Sequence, residues 1–290
     1  GKSMKDSFYL FSFRGIPIKA HWSLPVFLAI RIFSDSNPQA FRFNLAFAAI
    51  LFVTVVVHEL GHALTARSVG GKANEIVLWP LGGLAYTSGY RTLQKSLKVT
   101  LGGPLTHIPL AAVLAGVLYL VNGSVSPLTF SPLYSHMPAV NSIAAAYIVI
   151  AIKVQVILFL FNMCVPAYPL DCGQAIVEIA LIRGMDPEKT ARFIIASSIL
   201  AAAVMVLAFE LYFVAIFVGY ETWRLSALLK SGALFQHPLF AMARSLRSDP
   251  KPRKKSHLQL VQGYKSRTCP HCGNTVPEKA QMCGRCEKMI

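Results

Sequence analysis

The residues with the most definite chemistry are His58-Glu59-Leu60-Gly61-His62. On a helix this spacing places two imidazoles one turn apart on one face, where both can bind a single zinc ion. The glutamate between them can take a proton from a bound water. The motif closes the apolar run FNLAFAAILFVTVVV. Charged side chains in such a run cost roughly 2.5–3.5 kcal/mol each on insertion scales. A packed structural histidine would account for one such group. It does not account for two histidines and a glutamate at ligand spacing. Zinc also needs a third protein ligand and an open position for water. A third histidine on the same stretch is missing, because position 68 is Ser, and Glu75 lies beyond a Gly-Gly break. The better candidate is Asp171, in the segment FNMCVPAYPLDCG over 161–173. It follows an apolar span, and two prolines prevent a regular helix through the segment. The same aspartate could instead cap a helix starting near Gly173.

A second set of ligand-type residues lies near the end. Cys269, Cys272, Cys283 and Cys286 form C-x2-C-x10-C-x2-C. In a reducing compartment this spacing reads as a four-thiolate structural zinc site. So small a module has little core, and metal binding is expected to drive its folding.

The elements that must position the first set are membrane elements. Of 290 residues, 54% are hydrophobic and only 14% charged, against about 25% charged in a soluble domain. Mean hydropathy is +0.51. This excludes a disordered chain and argues against an ordinary soluble enzyme. A spanning helix needs roughly 20 mostly apolar residues. Six stretches qualify: 20–34, 43–66, 100–121, 142–163, 191–208 and 211–229, with the first the weakest and five as the fallback. The last two are separate spans, since one helix through both would be about twice the hydrocarbon thickness. Glu210 marks the turn. Lys and Arg cluster in the N-terminal arm, after the second span and after the fourth. By the positive-inside rule both termini are cytoplasmic.

Residues 76–90, IVLWPLGGLAYTSGY, are too short to cross as a helix. Gly82–Gly83 between aromatic-rich flanks reads as a hairpin or re-entrant segment. From Lys230 onward the chain carries 12 Lys+Arg and 3 Asp+Glu of the total net +15. This basic tail is expected to face anionic lipid. The expected architecture is an α-helical polytopic membrane protein of about six spans with a small membrane-associated β-hairpin, plus a small C-terminal zinc module. Its domains are a membrane body over 1–229, a basic linker over 230–264 and the zinc module over 265–290.

HELGH in a membrane helix, GGPLTH at 102–107 and N-x-x-x-P-x-x-x-L-D-x-G together resemble the site-2 protease family of intramembrane metalloproteases. The GIPIKAHWS opening at 15–23 and the WPLGG segment at 79–83 extend the resemblance over about 17–229. The cysteine module resembles a zinc ribbon. The resemblance implies that His58, His62 and Asp171 hold zinc and that Glu59 is the general base. Two departures stand out. Cys172 occupies a position that is commonly Gly, and the Asn162–Pro166 spacing is one residue longer than usual. Cys172 is read as a small buried thiol.

The expected function is a zinc endopeptidase acting on a membrane-anchored protein within the lipid bilayer. Asn162 could bond the oxyanion or the substrate backbone, or serve as a polar link between helices. His107 could line the substrate cavity or make a structural hydrogen bond. The Gly82–Gly83 hairpin could receive the unwound substrate as an added strand. Two zinc ions are expected, one catalytic and one in the tail. A protein partner for the ribbon is compatible with the basic linker. Nucleic acid is not expected, because no aromatic stacking set is present. The alternatives are a membrane metal-handling or transport protein, or a catalytically silent scaffold that binds through its tail.

Overall fold

The computed structural model describes residues 6–33, 37–90, 92–125, 140–243, 266–272 and 275–277. The chain opens on two antiparallel strands, β1 (Ser7–Phe13) and β2 (Ile16–His21), followed by the short helix α1 (Ser23–Ile32). Helix α2 (Pro38–Ser68) starts with proline at its first turn and with the Asn37 side chain accepting from Gln39 N. Both are ordinary N-terminal signals. Strands β3 (Lys72–Trp79) and β4 (Gly82–Ser88) form the hairpin expected between 76 and 90. The turn itself is Pro80–Leu81, and Gly82 follows it with φ +138°, a conformation open only to glycine.

The hairpin is half of a larger sheet. The strand order is β1-β2-β3-β4, with β2 and β3 parallel. The first two strands lie where the sequence reading placed only an arm and the weakest span. Alternation in IPIKAH explains β2, since Ile16, Ile18 and Ala20 are buried while Pro17, Lys19 and His21 are not fully covered. Ile16, Ile18, Ile76 and Leu78 pack with Val56 and Ala63 of α2, so the sheet lies along the helix that carries the histidines.

Helix α3 (Leu93–Gly102) and helix α4 (His107–Asn122) are joined by a short turn at Pro104–Thr106. Helix α5 (Ile143–Cys164) is capped by Ser142. It stops where Pro166 and Pro169 interrupt the chain, as expected. Helix α6 (Asp171–Ile182) begins directly at the aspartate. Helix α7 (Pro187–Phe209) is capped by Asp186, and the chain turns at Glu210 (φ 54°) into α8 (Tyr212–Lys230).

Among the described residues four stretches are long and apolar enough to cross a membrane: Pro38–Ser68, Leu93–Asn122, Ile143–Cys164 and Pro187–Phe209. Two expected spans differ in form. The one over 20–34 contains only the ten-residue α1 after a strand, about 15 Å of helix. The one over 211–229 is α8, a helix of 19 residues that includes Glu221 and Arg224.

The chain divides into a body up to residue 246 and a tail from residue 247. The stretch after 229, read as linker, starts as part of the body. Leu234, Leu239 and Phe240 are buried with Val177, Leu181 and Leu225. In the tail, β5 (Ser266–Thr268) and β6 (Thr275–Pro277) pair antiparallel. Cys269 and Cys272 lie between them, the first buried and the second exposed. Cys283 and Cys286 are outside the described residues.

Candidate metal centre

One turn of α2 places His58 and His62 side by side, with their Nε2 atoms 3.1 Å apart. Asp171 straddles both. Its Oδ2 is 3.2 Å from His58 Nε2 and its Oδ1 is 3.5 Å from His62 Nε2. Four ligands at about 2.0–2.1 Å around a tetrahedral ion stand about 3.3 Å from one another. The three observed separations are close to that edge length. Three converging side chains, two imidazoles and one carboxylate with an oxygen toward each, thus outline one side of such a site.

The outer nitrogens support the same reading. His62 Nδ1 lies 2.8 Å from the Val99 carbonyl. A carbonyl only accepts, so Nδ1 carries the hydrogen and Nε2 is left with its lone pair for the site. That lone pair, 3.1 Å from a second imidazole nitrogen and beside a carboxylate, is an arrangement that suits a cation. Histidine, histidine and aspartate are donors that zinc accepts. His58, Glu59 and Asp171 are each under 10% exposed, so water does little to offset the charge.

Asp171 is placed by the loop before it. Ser198 Oγ accepts from Tyr168 N at 2.8 Å, and Gln174 Nε2 donates to the Pro169 carbonyl at 2.8 Å. Leu170 N bonds the Ala167 carbonyl at 2.9 Å. Asp171 therefore stands in the first turn of α6, where the helix dipole also favours a carboxylate. Cys172 is a helical residue of α6 and needs no special backbone conformation. Burial first, then the neighbouring Cys164 and Asp171, push its thiol up, which keeps it a neutral thiol rather than a thiolate ligand.

Glu59 lies on the side of the strands. Its carboxylate oxygen and the two imidazole nitrogens all fall within 4.8 Å of one another. Gly83 presses against the same side chain, and a Cβ there would overlap Glu59. On the other side, a Cβ on Gly103 would overlap the His62 imidazole. Gly83 and Gly103, the second glycine of each pair, are therefore close-approach positions around the motif.

Three sequence candidates occupy other places. Asn162 is turned back on its own helix and donates from Nδ2 to the Leu158 carbonyl at 3.0 Å. Gly82 opens β4 directly after the turn, with nothing within 4 Å of where a Cβ would stand. His107 is 2% exposed and stands behind His58, with Nε2 3.0 Å from His58 Nδ1 and Nδ1 2.7 Å from Gln155 Oε1. Sequence reasoning missed Gln155, Thr54 and the Val99 carbonyl. A glutamine inside the apolar run of α5 was the available signal for the first. A backbone carbonyl leaves none.

The fold and the site together define a membrane-embedded H-E-x-x-H centre completed by an aspartate from a distant helix. Residues 46–208 match the model of peptidase family M50, and the chain belongs to that family. It is 28% identical over 176 residues to the zinc metalloprotease MJ0392 of Methanocaldococcus jannaschii, which covers 61% of this chain and 46% of that protein. It is 25% identical over 185 residues to the putative zinc metalloprotease Rip3 of Mycobacterium tuberculosis, covering 60% and 43%. The chain thus spans less than half the length of these curated relatives. A solved site-2 protease from Methanocaldococcus jannaschii matches with a TM-score of 0.52 and 25% identity, over 75% of this chain and 94% of that one. The protein is an integral membrane protein.

Proposed function

We propose that the protein is a zinc-dependent intramembrane endopeptidase that hydrolyses a peptide bond within or near a transmembrane segment of a membrane-anchored protein. The observation that carries this reading is the triangle of His58 Nε2, His62 Nε2 and Asp171 carboxylate at tetrahedral-edge distances, with Glu59 beside it. A zinc ion held there supplies a Lewis acid that lowers the pKa of a water toward about 7 and polarises a carbonyl. Glu59 accepts a proton at its carboxylate and passes one to the leaving amine. Its contact with Gly83 of β4 keeps it aimed. β4 ends the sheet order and has no strand partner on its outer edge among the described residues. That edge suits an extended substrate, whose backbone would pair with the strand.

We read the body as six crossings, with both termini on the cytoplasmic side by the distribution of Lys and Arg, and the sheet bears on the first of them. β3 leaves the C-terminal end of α2 and runs back along it, and β2 is parallel to β3. β2 followed by α1 therefore leads from the C-terminal end of α2 toward its start. Six strand residues and ten helix residues reach about 35 Å, enough for the hydrocarbon core. The first crossing is then a strand–helix composite, and α8 is the last. In the tail, Cys269 and Cys272 at the hairpin turn would join Cys283 and Cys286 around a structural zinc.

The direct test is cleavage of a membrane-anchored substrate by the wild type and by Glu59→Gln. The reading requires cleavage by the first and a loss of about 10²–10⁴-fold in the second. Equal cleavage by both overturns it.

A further inference from the structure

Behind His58 a chain of polar side chains runs through three helices. His58 Nδ1 meets His107 Nε2 at 3.0 Å. His107 Nδ1 meets Gln155 Oε1 at 2.7 Å, and Gln155 Nε2 donates to Thr54 Oγ1 at 2.7 Å. The members come from α2, α4 and α5. His107, Gln155 and Thr54 are each 2% exposed and His58 is 8% exposed. Water cannot replace any link, so each polar atom depends on its neighbour in the chain.

The chain has a direction. Gln155 presents its carbonyl oxygen to His107 Nδ1, which must therefore carry the hydrogen. A neutral imidazole protonated at Nδ1 offers a lone pair at Nε2. His107 Nε2 accordingly accepts from His58 Nδ1–H, and His58 is left with its lone pair on Nε2, the atom facing His62 and Asp171. If the Gln155 amide were reversed, its NH2 group would oppose the Nδ1–H. The histidines could then relax to the other tautomer, turning an N–H of His58 into the site.

We propose that Gln155, acting through His107, sets the tautomer of His58, so that Gln155, His107 and Thr54 are positioning residues for the metal. Of the two roles the sequence left open for His107, substrate cavity or structural hydrogen bond, this is the second, at a post behind the ligand. The partner of His62 is a backbone carbonyl, which no substitution removes. The partner of His58 is a side-chain relay and can be broken. The inference rests on the reading of His58 as a metal ligand.

The test is the zinc affinity of the full chain in detergent, measured by chelator competition for the ion that His58→Ala removes. Loss of an outer partner of a ligating histidine costs about 10–100-fold in metal affinity. His107→Phe and Gln155→Met are expected to fall in that range. Thr54→Val is expected to fall less, because it leaves the Gln155 carbonyl in place. Gln155→Glu, which can only accept at His107 when ionised, is expected to stay near the wild-type affinity. A purely structural role would lower the melting temperature of all four without this ordering in affinity. Unchanged affinity in folded Gln155→Met overturns the relay. If His107→Phe does not fold, the ordering of Gln155→Met, Thr54→Val and Gln155→Glu decides. Should His58→Ala keep every zinc, the ligand reading itself fails, and the two failures are distinguishable.

Discussion

The body and the tail bring ligand-type residues together in opposite ways. In the body, His58 and His62 come from one helix and Asp171 from another that begins far along the chain. α3 contributes the Val99 carbonyl, and β4 contributes Gly83 against Glu59. No short segment holds this geometry. In the tail, Cys269 and Cys272 share one turn between two three-residue strands, and local sequence alone sets their spacing. A site assembled by the fold should keep its shape when the ion leaves. A site assembled by a turn should need the ion to exist. The contrast predicts that the body tolerates loss of a tail ligand, whereas damage within the body changes catalysis in ways that depend on the element struck.

The largest effects are expected where the two carboxylates differ. Asp171→Ala removes one of three protein ligands. On a chain also carrying Cys269→Ser and Cys272→Ser, so that tail zinc does not count, bound zinc and cleavage should both fall by more than about 100-fold, beyond the cost of losing an outer partner. Unchanged zinc would return Asp171 to a helix-terminal role. Glu59→Gln should keep zinc at the wild-type amount while cleavage drops by about 10²–10⁴-fold, the range for loss of a general base. Equal loss of zinc would make Glu59 a ligand instead.

A smaller effect follows from the strand contact. Gly83→Ala puts a methyl group where Glu59 now lies. The side chain must shift, and a misplacement of about 1 Å can cost about 10²-fold in rate. The expected signature is a fall in kcat with zinc content unchanged. Wild-type kcat in this variant would mean that β4 does not position Glu59. The tail variant Cys269→Ser with Cys272→Ser should lose one zinc per chain, by elemental analysis, while cleavage of a short transmembrane substrate in detergent persists. Loss of that cleavage, with the body folded and its zinc retained, would join the tail to the catalytic unit and end the contrast.

The two regions were also unequally legible. The motif on α2 could be read because helical periodicity alone places its two histidines together. The end of α5 and the turn at Glu210 could be read because proline and charge interrupt apolar runs. The hairpin over 76–90 was visible in its glycines and its length. The strands β1 and β2 were not, because β2 is short and its partner β3 lies beyond the whole of α2. Pairing at that separation leaves no local pattern. Nor did the sequence separate the roles of its glycines, since close approach is a property of two segments. Asp171 rested on the resemblance to a family, and a helix-cap reading fitted its sequence context equally well. In the tail the spacing of the four cysteines carried the whole reading, and the described hairpin accounts for two of them.

The smallest expected effect tests the clasp that holds the two halves of the body site together. Glu178 lies two turns along α6 from Asp171 and is 1% exposed. The Ser96 hydroxyl donates to its Oε1, Thr100 lies alongside, and Oε2 has no hydrogen-bond partner. Ser96 and Thr100 flank Val99, whose carbonyl holds His62, so α3 ties the helix of Asp171 to that of His62. Burial pushes the Glu178 carboxyl up to about 7 against its ordinary 4.5. The hydroxyls pull it only partly back, and Asp171 adds to the rise. Between these two values the folded protein keeps a proton that the unfolded chain has released. Stability must therefore fall as pH rises through the window from about 4.5 to about 7 and stay at the lower level above it. Glu178→Gln imitates the protonated form and cannot ionise. It should melt a few degrees above the wild type at pH 8, and the gap should close as pH is lowered toward 4.5. Every other ionisable group is common to both proteins, so the difference between the two melting curves isolates Glu178. A gap that is constant with pH, or a variant that is less stable at pH 8, would show that the carboxylate is held ionised and that the clasp is an ordinary hydrogen bond.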